Sequence, residues 1–259
     1  MTTPRRMRWD LRGFVLPLAL VCLAEIVAFA VGLQSDSVAP PSQVIEAAIQ
    51  AATDGTIARA TADTLICAML GLLVGFLLGL ALGLPLGLLP LLSHLLEFTI
   101  EAIRPIPSIA LIPVVLMAFG FGYRMEIAIV AFATMWPTLI LSRAAVANIE
   151  PRLLEVARML RLGAIARIFK IVIPAALPRI FVALRLAVGV ALVVAVTVEI
   201  TANTLGVGYN MMQAQQSLRP ELMLALLFWV GFLGWTINAV MLAAQKHLFG
   251  PAAVVEVAP

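Results

Sequence analysis

Long apolar runs alternate with short polar segments along this chain. Thr64 to Ser93, Pro105 to Tyr123 and Ile127 to Ser142 contain no charged residue, and Leu222 to Gln245 is equally free of charge. Ile180 to Val198 contains one, Arg185. A helix needs about 20 mostly apolar residues to cross a bilayer. With the N-terminal run, the pattern predicts six transmembrane helices, at about 13–33, 64–90, 95–121, 125–144, 179–200 and 222–245.

The N-terminal run has a basic start and thereby resembles a signal peptide. However, the stretch from Gly13 to Leu33 is longer than the usual apolar core of a signal peptide, and it carries Glu25. No small-x-small cleavage site follows it at the expected distance. We therefore interpret it as the first transmembrane helix.

Basic residues set the predicted orientation. Lys and Arg accumulate in cytoplasmic loops of membrane proteins. If the N-terminus is cytoplasmic, all but three of the 17 Lys and Arg residues lie inside, the exceptions being Arg59, Arg124 and Arg219. The pattern therefore predicts an N-in, C-in topology with cytoplasmic ends at 1–12 and 249–259, and a transmembrane domain at 13–248.

Composition supports an all-α, polytopic membrane protein. The 259 residues are 63% hydrophobic and 12% charged, with a mean hydropathy of +1.07, whereas soluble domains carry about 25% charged residues. A net charge of +3 with no basic stripe among aromatic residues argues against nucleic acid as a partner. Cys22 and Cys67 fall in apolar segments and read as core residues, not as a disulfide or a metal site.

The second span carries a glycine at every fourth position. These are Gly71, Gly75, Gly79, Gly83 and Gly87. Such a stripe lets another helix backbone approach closely. We expect it to pack inside the bundle or against a second copy of the chain, with lining of a transport path as the alternative.

The third span is rich in helix breakers. Pro105, Pro107 and Pro113 each lack the N–H that a helix interior uses. Broken helices at membrane depth are tolerated where they line a cavity, and transporters place substrate sites there. Together with Ser108 from this segment, Thr197 and Glu199 near the outer end of the fifth span are the candidate substrate-path residues.

The sequence lacks the motifs of an enzyme. It contains no G-x-x-x-x-G-K-[ST] phosphate-binding loop, no H-E-x-x-H and no G-x-S-x-G. The pattern therefore predicts a non-enzymatic chain that binds no cofactor or metal. An ion-coupled carrier would more often show several buried acids or an inverted repeat, and we find no such repeat.

The loop at 146–178 is charged and amphipathic, unlike its surroundings. Leu153, Val156, Ala157 and Leu160 form one apolar helical stripe. A second stripe, which begins at Ile165, is shifted by one residue, so we expect a break with Gly163 as a left-handed helix cap. From the residues alone, the two short helices fit a lipid surface and a groove on a partner protein equally well.

The stretch "EVARMLRLGAIARIFKIVIPAALP" resembles the "EAA" loop in permease subunits of bacterial binding-protein-dependent ABC importers. Glu155, Ala157, Ile171 and Pro174 match that pattern in register, whereas Arg161 stands where the family has glycine, two residues before Gly163. "RPIPSIALIPVVLMAFGFG", "APPSQVIEAAIQAATDGT" and "VEITANTLGVGY" are similar to the nitrate, sulfonate, taurine and bicarbonate branch of that family.

The resemblance implies a type I ABC importer permease fold in the inner membrane, with a cytoplasmic coupling helix. It implies a homodimer, two ATPase subunits that bind ATP and Mg, and an extracytoplasmic binding protein that delivers a small solute such as a sulfonate. The ATPase-coupling residues are then expected to be Glu155, Ala157, Arg158, Arg161 and Gly163. The alternatives are a secondary carrier that acts without an ATPase and a membrane scaffold that transports nothing.

Overall fold

A computed structural model describes residues 12–31 and 38–250, and all regular structure in those residues is helical. The helices are α1 (Arg12–Val31), α2 (Pro41–Thr53), α3 (Thr56–Leu88), α4 (Pro90–Ile103), α5 (Ile112–Phe119), α6 (Tyr123–Ala147), α7 (Pro151–Met159), α8 (Ala164–Arg167), α9 (Ile173–Thr201), α10 (Gly206–Gln216) and α11 (Pro220–Phe249). A 3-10 turn (Ser108–Leu111) precedes α5, and a π-helical turn (Ile168–Val172) joins α8 to α9. The predicted cytoplasmic ends fall almost wholly outside the described residues.

Four helices in the described part of the chain are long and apolar enough to cross a membrane: α3, α6, the helix that contains α9, and α11. The α4 helix and the segment Ser108–Phe119 pass the same test together, although their axes are bent by 79°. The α1 helix contributes a shorter apolar stretch, Ala19–Ala30. Six spans and the N-in orientation stay predictions.

The bent pair connects opposite ends of the helical bundle and does not return to the end at which it starts. Gly71 of α3 packs on Val130 of α6, and Gly87 packs on Val146, so the two helices run parallel. Since α3 ends at one end of the bundle and α6 begins at the other, the chain between them must run the length of the bundle, as a broken span does.

The glycine stripe forms a close contact between α3 and α6. A Cβ atom added to any of the five glycines would overlap α6, at residues that also recur every fourth position: Val130, Thr134, Thr138, Ser142 and Val146. The hydroxyl groups among them donate to carbonyl oxygens of their own helix, for example from Thr138 to Thr134 at 2.8 Å. The expected packing within the bundle is confirmed, and its partner is α6 of the same chain.

The α9 helix runs antiparallel to α6. Arg179 near its start donates to the carbonyl oxygen of Asn148 at 3.0 Å, and Asn203 just after its last turn donates to Glu126 at the start of α6. The side of the bundle that holds α7 and the start of α9 is called the α7 end, and the opposite side the α10 end. The α11 helix starts at the α10 end, where Trp229 donates to Thr61 at 2.8 Å.

Candidate functional site

A cavity of about 310 Å³ lies beside the break in the third span. Pro105 and Pro107 cannot continue α4, and the chain resumes as a 3-10 turn at Ser108. The cavity is bordered by this break, by one face of α6 that includes Trp136, and by one face of α9 that includes Val190. Trp136 lies near the middle of α6, so the cavity is at mid-membrane depth.

Three of the residues that line the cavity carry hydrogen-bond donors: Arg104, Ser108 and Trp136. The indole nitrogen is buried without an acceptor in the described part of the chain, and such an orphaned donor costs about 1–3 kcal/mol. No Asp or Glu is among the residues that line the cavity. This donor set suits an anionic ligand.

Sequence reasoning missed Arg104 and Trp136 as site residues. Spacing suggests that Arg104 pairs with Glu101 one helical turn away, but no such ion pair forms between these two residues. Instead, the neighbouring Glu97 lies 3.6 Å from Arg143 of α6. The proline-rich sequence predicted the break in the helix and thereby the location of the site. It could not predict that Arg104 and Trp136 line the site, because this depends on how α6 packs against the break.

The predicted substrate-path residues do not share one site. Ser108 lines the cavity, whereas Thr197 and Glu199 do not. The Thr197 hydroxyl donates to the carbonyl oxygen of Val193 at 2.7 Å within its own helix. Glu199 is buried at the α10 end, beneath the first turn of α10.

Glu199 belongs to a buried polar cluster at that end. Its Oε2 accepts the backbone N–H of Gly208 at 2.7 Å, and Asn203 donates to Oε2 of Glu126. The Asn203 Oδ1 atom in turn accepts the N–H of Gly122 at 3.1 Å. The cluster thus ties the start of α6 and the end of α9 to the start of α10. The sequence did not identify Glu126 as a buried residue, because it stands close to Arg124 and just before a charge-free run, where charged residues usually mark the end of a span.

Gly206 allows α10 to approach this cluster. Its φ is +90°, a conformation that favours glycine, and any side chain at this position would overlap the carboxyl group of Glu199. The "LGVG" sequence therefore has a steric purpose. It lets the chain turn directly over a buried glutamate.

At the α7 end, the amphipathic loop is broken between Met159 and Ala164, as predicted. The second part is not the separate short helix that the sequence suggested, because α8 continues through the π-helical turn into α9. The identity of the left-handed residue was predicted wrongly. Arg161 has φ +50°, while Gly163 has no positive φ. The N–H of Leu162 donates to the carbonyl oxygen of Ala157 at 3.0 Å. This hydrogen bond ends the helix around a left-handed residue, a position that glycine usually occupies. Arg161 thus adopts the cap conformation at the position where the related loops have glycine.

The α7 helix presents a mixed surface to its surroundings. Glu155 is exposed, as are Val156, Leu160 and Met159, the last with 81% of its area. Ala157 is only 1% exposed, so its small side chain serves packing within this chain. Arg158 lies in α7, and its side chain is outside the described part of the structure. Gly163 is exposed, and a Cβ added there would meet nothing within 4 Å.

An apolar helical bundle with a broken span beside a mid-membrane cavity is the architecture of a membrane transport protein. The family described as "binding-protein-dependent transport system inner membrane component" matches residues 71–249 of this chain. The chain belongs to that family. It is a multi-pass inner-membrane permease subunit, as the loop sequence predicted.

Individual relatives match most of the chain. The permease SsuC of Escherichia coli K12, named for aliphatic sulfonate transport, is 32% identical over 237 residues, which cover 90% of this chain and 89% of SsuC. The taurine transport permease TauC of the same organism is 28% identical over 81% of this chain and 78% of its own length. These similarities confirm the predicted branch of the family.

Among solved structures, the MetNI methionine ABC transporter in an inward-facing conformation matches with a TM-score of 0.61. The match covers 71% of this chain and 93% of the MetNI chain, at 17% identity. It shows the fold, and it confirms the predicted type I importer permease architecture.

Proposed function

We propose that this chain is the transmembrane permease subunit of an ATP-driven importer for a small anion. An extracytoplasmic binding protein delivers the solute at the α10 end, and alternating access releases it to the cytoplasm at the α7 end. Family membership supports the permease role, and the names of relatives, for aliphatic sulfonates and for taurine, support a solute that carries an anionic sulfonate group. The observation that carries the proposal is the cavity at the broken span, whose lining includes Arg104 and no Asp or Glu.

The cavity favours an anion over a cation. A guanidinium group offers two parallel donors to a carboxylate or sulfonate, and its bonds to such groups are stronger than those between neutral partners. Ser108 also lines the cavity and carries a hydroxyl group, whereas the indole nitrogen of Trp136 is buried without an acceptor among the described residues. A cation in the same place would meet Arg104 with no carboxylate in the lining to offset it.

Energy for transport comes from separate subunits in this proposal. Two ATPase chains bind ATP and Mg, and each receives one α7–α8 unit from a permease homodimer. Exposed apolar side chains on this unit, such as Met159 and Ile165, suit a helix that docks into a groove. Glu155 and Arg161 are exposed beside them and supply polar contacts. In this scheme Arg158 adds a further positive charge, Gly163 spaces the two helices, and Ala157 holds α7 against its own subunit.

Substitution at Glu155 tests the docking role. Glu155→Lys reverses the charge on the docking helix, so we expect normal membrane insertion but loss of ATPase co-purification and of uptake. Glu46→Lys, on the exposed face of α2 at the opposite end, is the matched control and should retain the ATPase. Wild-type uptake and co-purification by the Glu155→Lys variant would refute the docking assignment.

Reconstitution separates the proposal from its alternatives. We expect uptake into proteoliposomes only when the ATPase encoded beside this chain, ATP and the cognate binding protein are all present. A thermal-shift screen of that binding protein against small sulfonates and other anions would identify the solute. Uptake without any ATPase would indicate a secondary carrier, and no uptake with any partner would indicate a scaffold.

A further inference from the structure

A second cavity, of about 500 Å³, lies at the α7 end, between the last turns of α6 and the first turns of α9. It is called the α7-end cavity, and the one beside the break is called the broken-span cavity. Asn148 and Arg179 line its outer end, and the residues one or two helical turns deeper, Val182 and Leu141, are apolar. No Asp or Glu is among its lining residues. Arg179 therefore carries the only charge in the lining of this cavity.

The two cavities lie along one groove of α6. The residues of α6 that line them belong to the same two rows, in each of which every fourth residue takes part. One row contributes three residues to the broken-span cavity and its next two members to the α7-end cavity: Phe132, Trp136 and Ile140, then Ala144 and Asn148. The neighbouring row, from Ala133 to Ala145, is divided between the cavities in the same way. Residues four apart lie on one flank of a helix, so the groove follows α6 from the broken-span cavity to the end of the helix.

The α9 helix forms the opposite wall of this groove. Val190 and Val194 line the broken-span cavity, and Val182 lines the α7-end cavity at the same spacing of four. The member of this row between them, Leu186, is 52% exposed. The glycine stripe of α3 packs on a different row of α6, which includes Thr134, so α3 lies on another flank of that helix.

The groove joins two separate cationic side chains, Arg104 in the broken-span cavity and Arg179 in the α7-end cavity. Trp136 and Asn148, which mark the two levels on α6, lie 12 residues apart, or about 18 Å along the helix axis. The wall between these levels is apolar. An ion in an apolar stretch has no hydrogen-bonding partner, and its burial there is costly.

The guanidinium group of Arg179 is held beside the α7-end cavity with donors to spare. Its Nη1 atom donates to the carbonyl oxygen of Asn148 at 3.0 Å, and Arg179 is exposed. Among the described residues it forms no ion pair with an acid. Glu150, which follows the end of α6, lies 3.8 Å from Arg152 instead. A guanidinium carries several N–H donors, so one bond to Asn148 leaves the others for a ligand.

We propose that Arg179 forms a second anion-binding site, which receives the transported anion after it leaves Arg104 and from which the anion is released at the α7 end. This inference rests on the proposed function, because it takes the solute to be a small anion that passes along this groove. A guanidinium binds a sulfonate or carboxylate through parallel charged hydrogen bonds. The apolar stretch keeps the two sites distinct, since the anion is stabilised at either end and not between them.

Uptake of a labelled small sulfonate by proteoliposomes that contain the complete transport complex tests the role of Arg179 in transport. Arg179→Gln keeps an N–H donor but removes the charge, so we expect uptake to fall by about threefold or more, with unchanged Tm and ATPase co-purification. Arg179→Lys restores the charge and should restore most of the uptake. Arg143→Gln is the matched control, because Arg143 lies at the same end of α6, outside both cavities, and is paired with Glu97. Equal uptake by Arg179→Gln and Arg143→Gln would overturn the proposal while leaving the permease role intact.

Thiol labelling of the full chain in lipid nanodiscs tests anion binding without transport, so its result stands even if the proposed function fails. Val182→Cys places a thiol in the α7-end cavity, Cys22→Ser removes an exposed thiol, and Cys67 is buried.

We expect a methanethiosulfonate reagent that carries a sulfonate to react faster than one that carries a trimethylammonium group, and Arg179→Gln should lower this rate ratio by about threefold. Added ethanesulfonate should slow the labelling only when Arg179 is present. An unchanged ratio, or protection that persists in Arg179→Gln, would overturn the proposal. Protection by nanodiscs of phosphatidylglycerol but not by ethanesulfonate would overturn it in favour of a lipid headgroup.

Discussion

Replacement of Gly79 by alanine tests whether close approach of α3 and α6 holds the bundle together. A Cβ atom at this position would lie 2.6 Å from Cβ of Thr138 and 2.7 Å from the carbonyl oxygen of Met135. The carbonyl belongs to the α6 backbone, so no side-chain rotation can relieve the overlap. The helices would have to separate by about 1 Å, and overpacking of this kind costs about 1–3 kcal/mol.

Gly231→Ala in α11 is the matched control, because a Cβ added there has no neighbour within 4 Å. Both substitutions gain the same helix propensity, about 1 kcal/mol, so this gain cancels in the comparison. The remaining difference is the overpacking cost. For a chain of this length, each kcal/mol lowers the Tm by about 2–4 °C.

Thermal unfolding of the two purified variants in the same detergent provides the measurement. We expect Gly79→Ala to melt below Gly231→Ala by at least about 2 °C. Equal melting temperatures would show that α6 can move away from α3 without loss of stability. The close approach of the two helices at the glycine stripe would then not be what holds the bundle together.

Three further predictions concern single positions. Arg161→Gly should raise the Tm and Arg161→Val should lower it, each by the equivalent of about 1 kcal/mol, because a left-handed backbone suits glycine and strains β-branched residues. Gly163→Ala is the control and should change the Tm little. The same response at positions 161 and 163 would contradict the assignment of Arg161 as the helix cap. Gly206→Ala should reduce the yield of folded protein because φ +90° and the Glu199 carboxyl group both oppose a side chain, and a wild-type yield and Tm would show that α10 is free to shift. Arg104→Gln should lower anion uptake at least tenfold while ATPase co-purification persists, because a lost charged hydrogen bond costs about 1.5–3 kcal/mol. Arg143→Gln, which removes a charge outside the cavity, is the control. Equal uptake by the two variants would argue against the anion site.

Local sequence predicted the elements that depend on local physics. Charge-free runs located the apolar helices, and the phase shift between two apolar stripes located the break between α7 and α8. The glycine spacing predicted a close helix contact, because a period of four places all five residues on one flank.

Features that depend on which helices meet were not predictable. The hydrogen bond from Asn203 to Glu126 joins residues 77 positions apart, and Arg104 and Trp136 line one cavity only because α6 packs on the break. The left-handed residue was assigned to Gly163 on propensity, but helix closure through Leu162 and Ala157 placed it at Arg161. A local backbone hydrogen bond at the end of α7 thus outweighed the preference of glycine for that conformation.

Uptake of a labelled small sulfonate into proteoliposomes tests the central claim most directly. The vesicles contain this chain and its ATPase, with ATP enclosed and the binding protein outside. We predict accumulation that needs all three components and is abolished by Glu155→Lys. Equal uptake without ATP or without the ATPase, or undiminished uptake by the Glu155→Lys variant, would contradict the account.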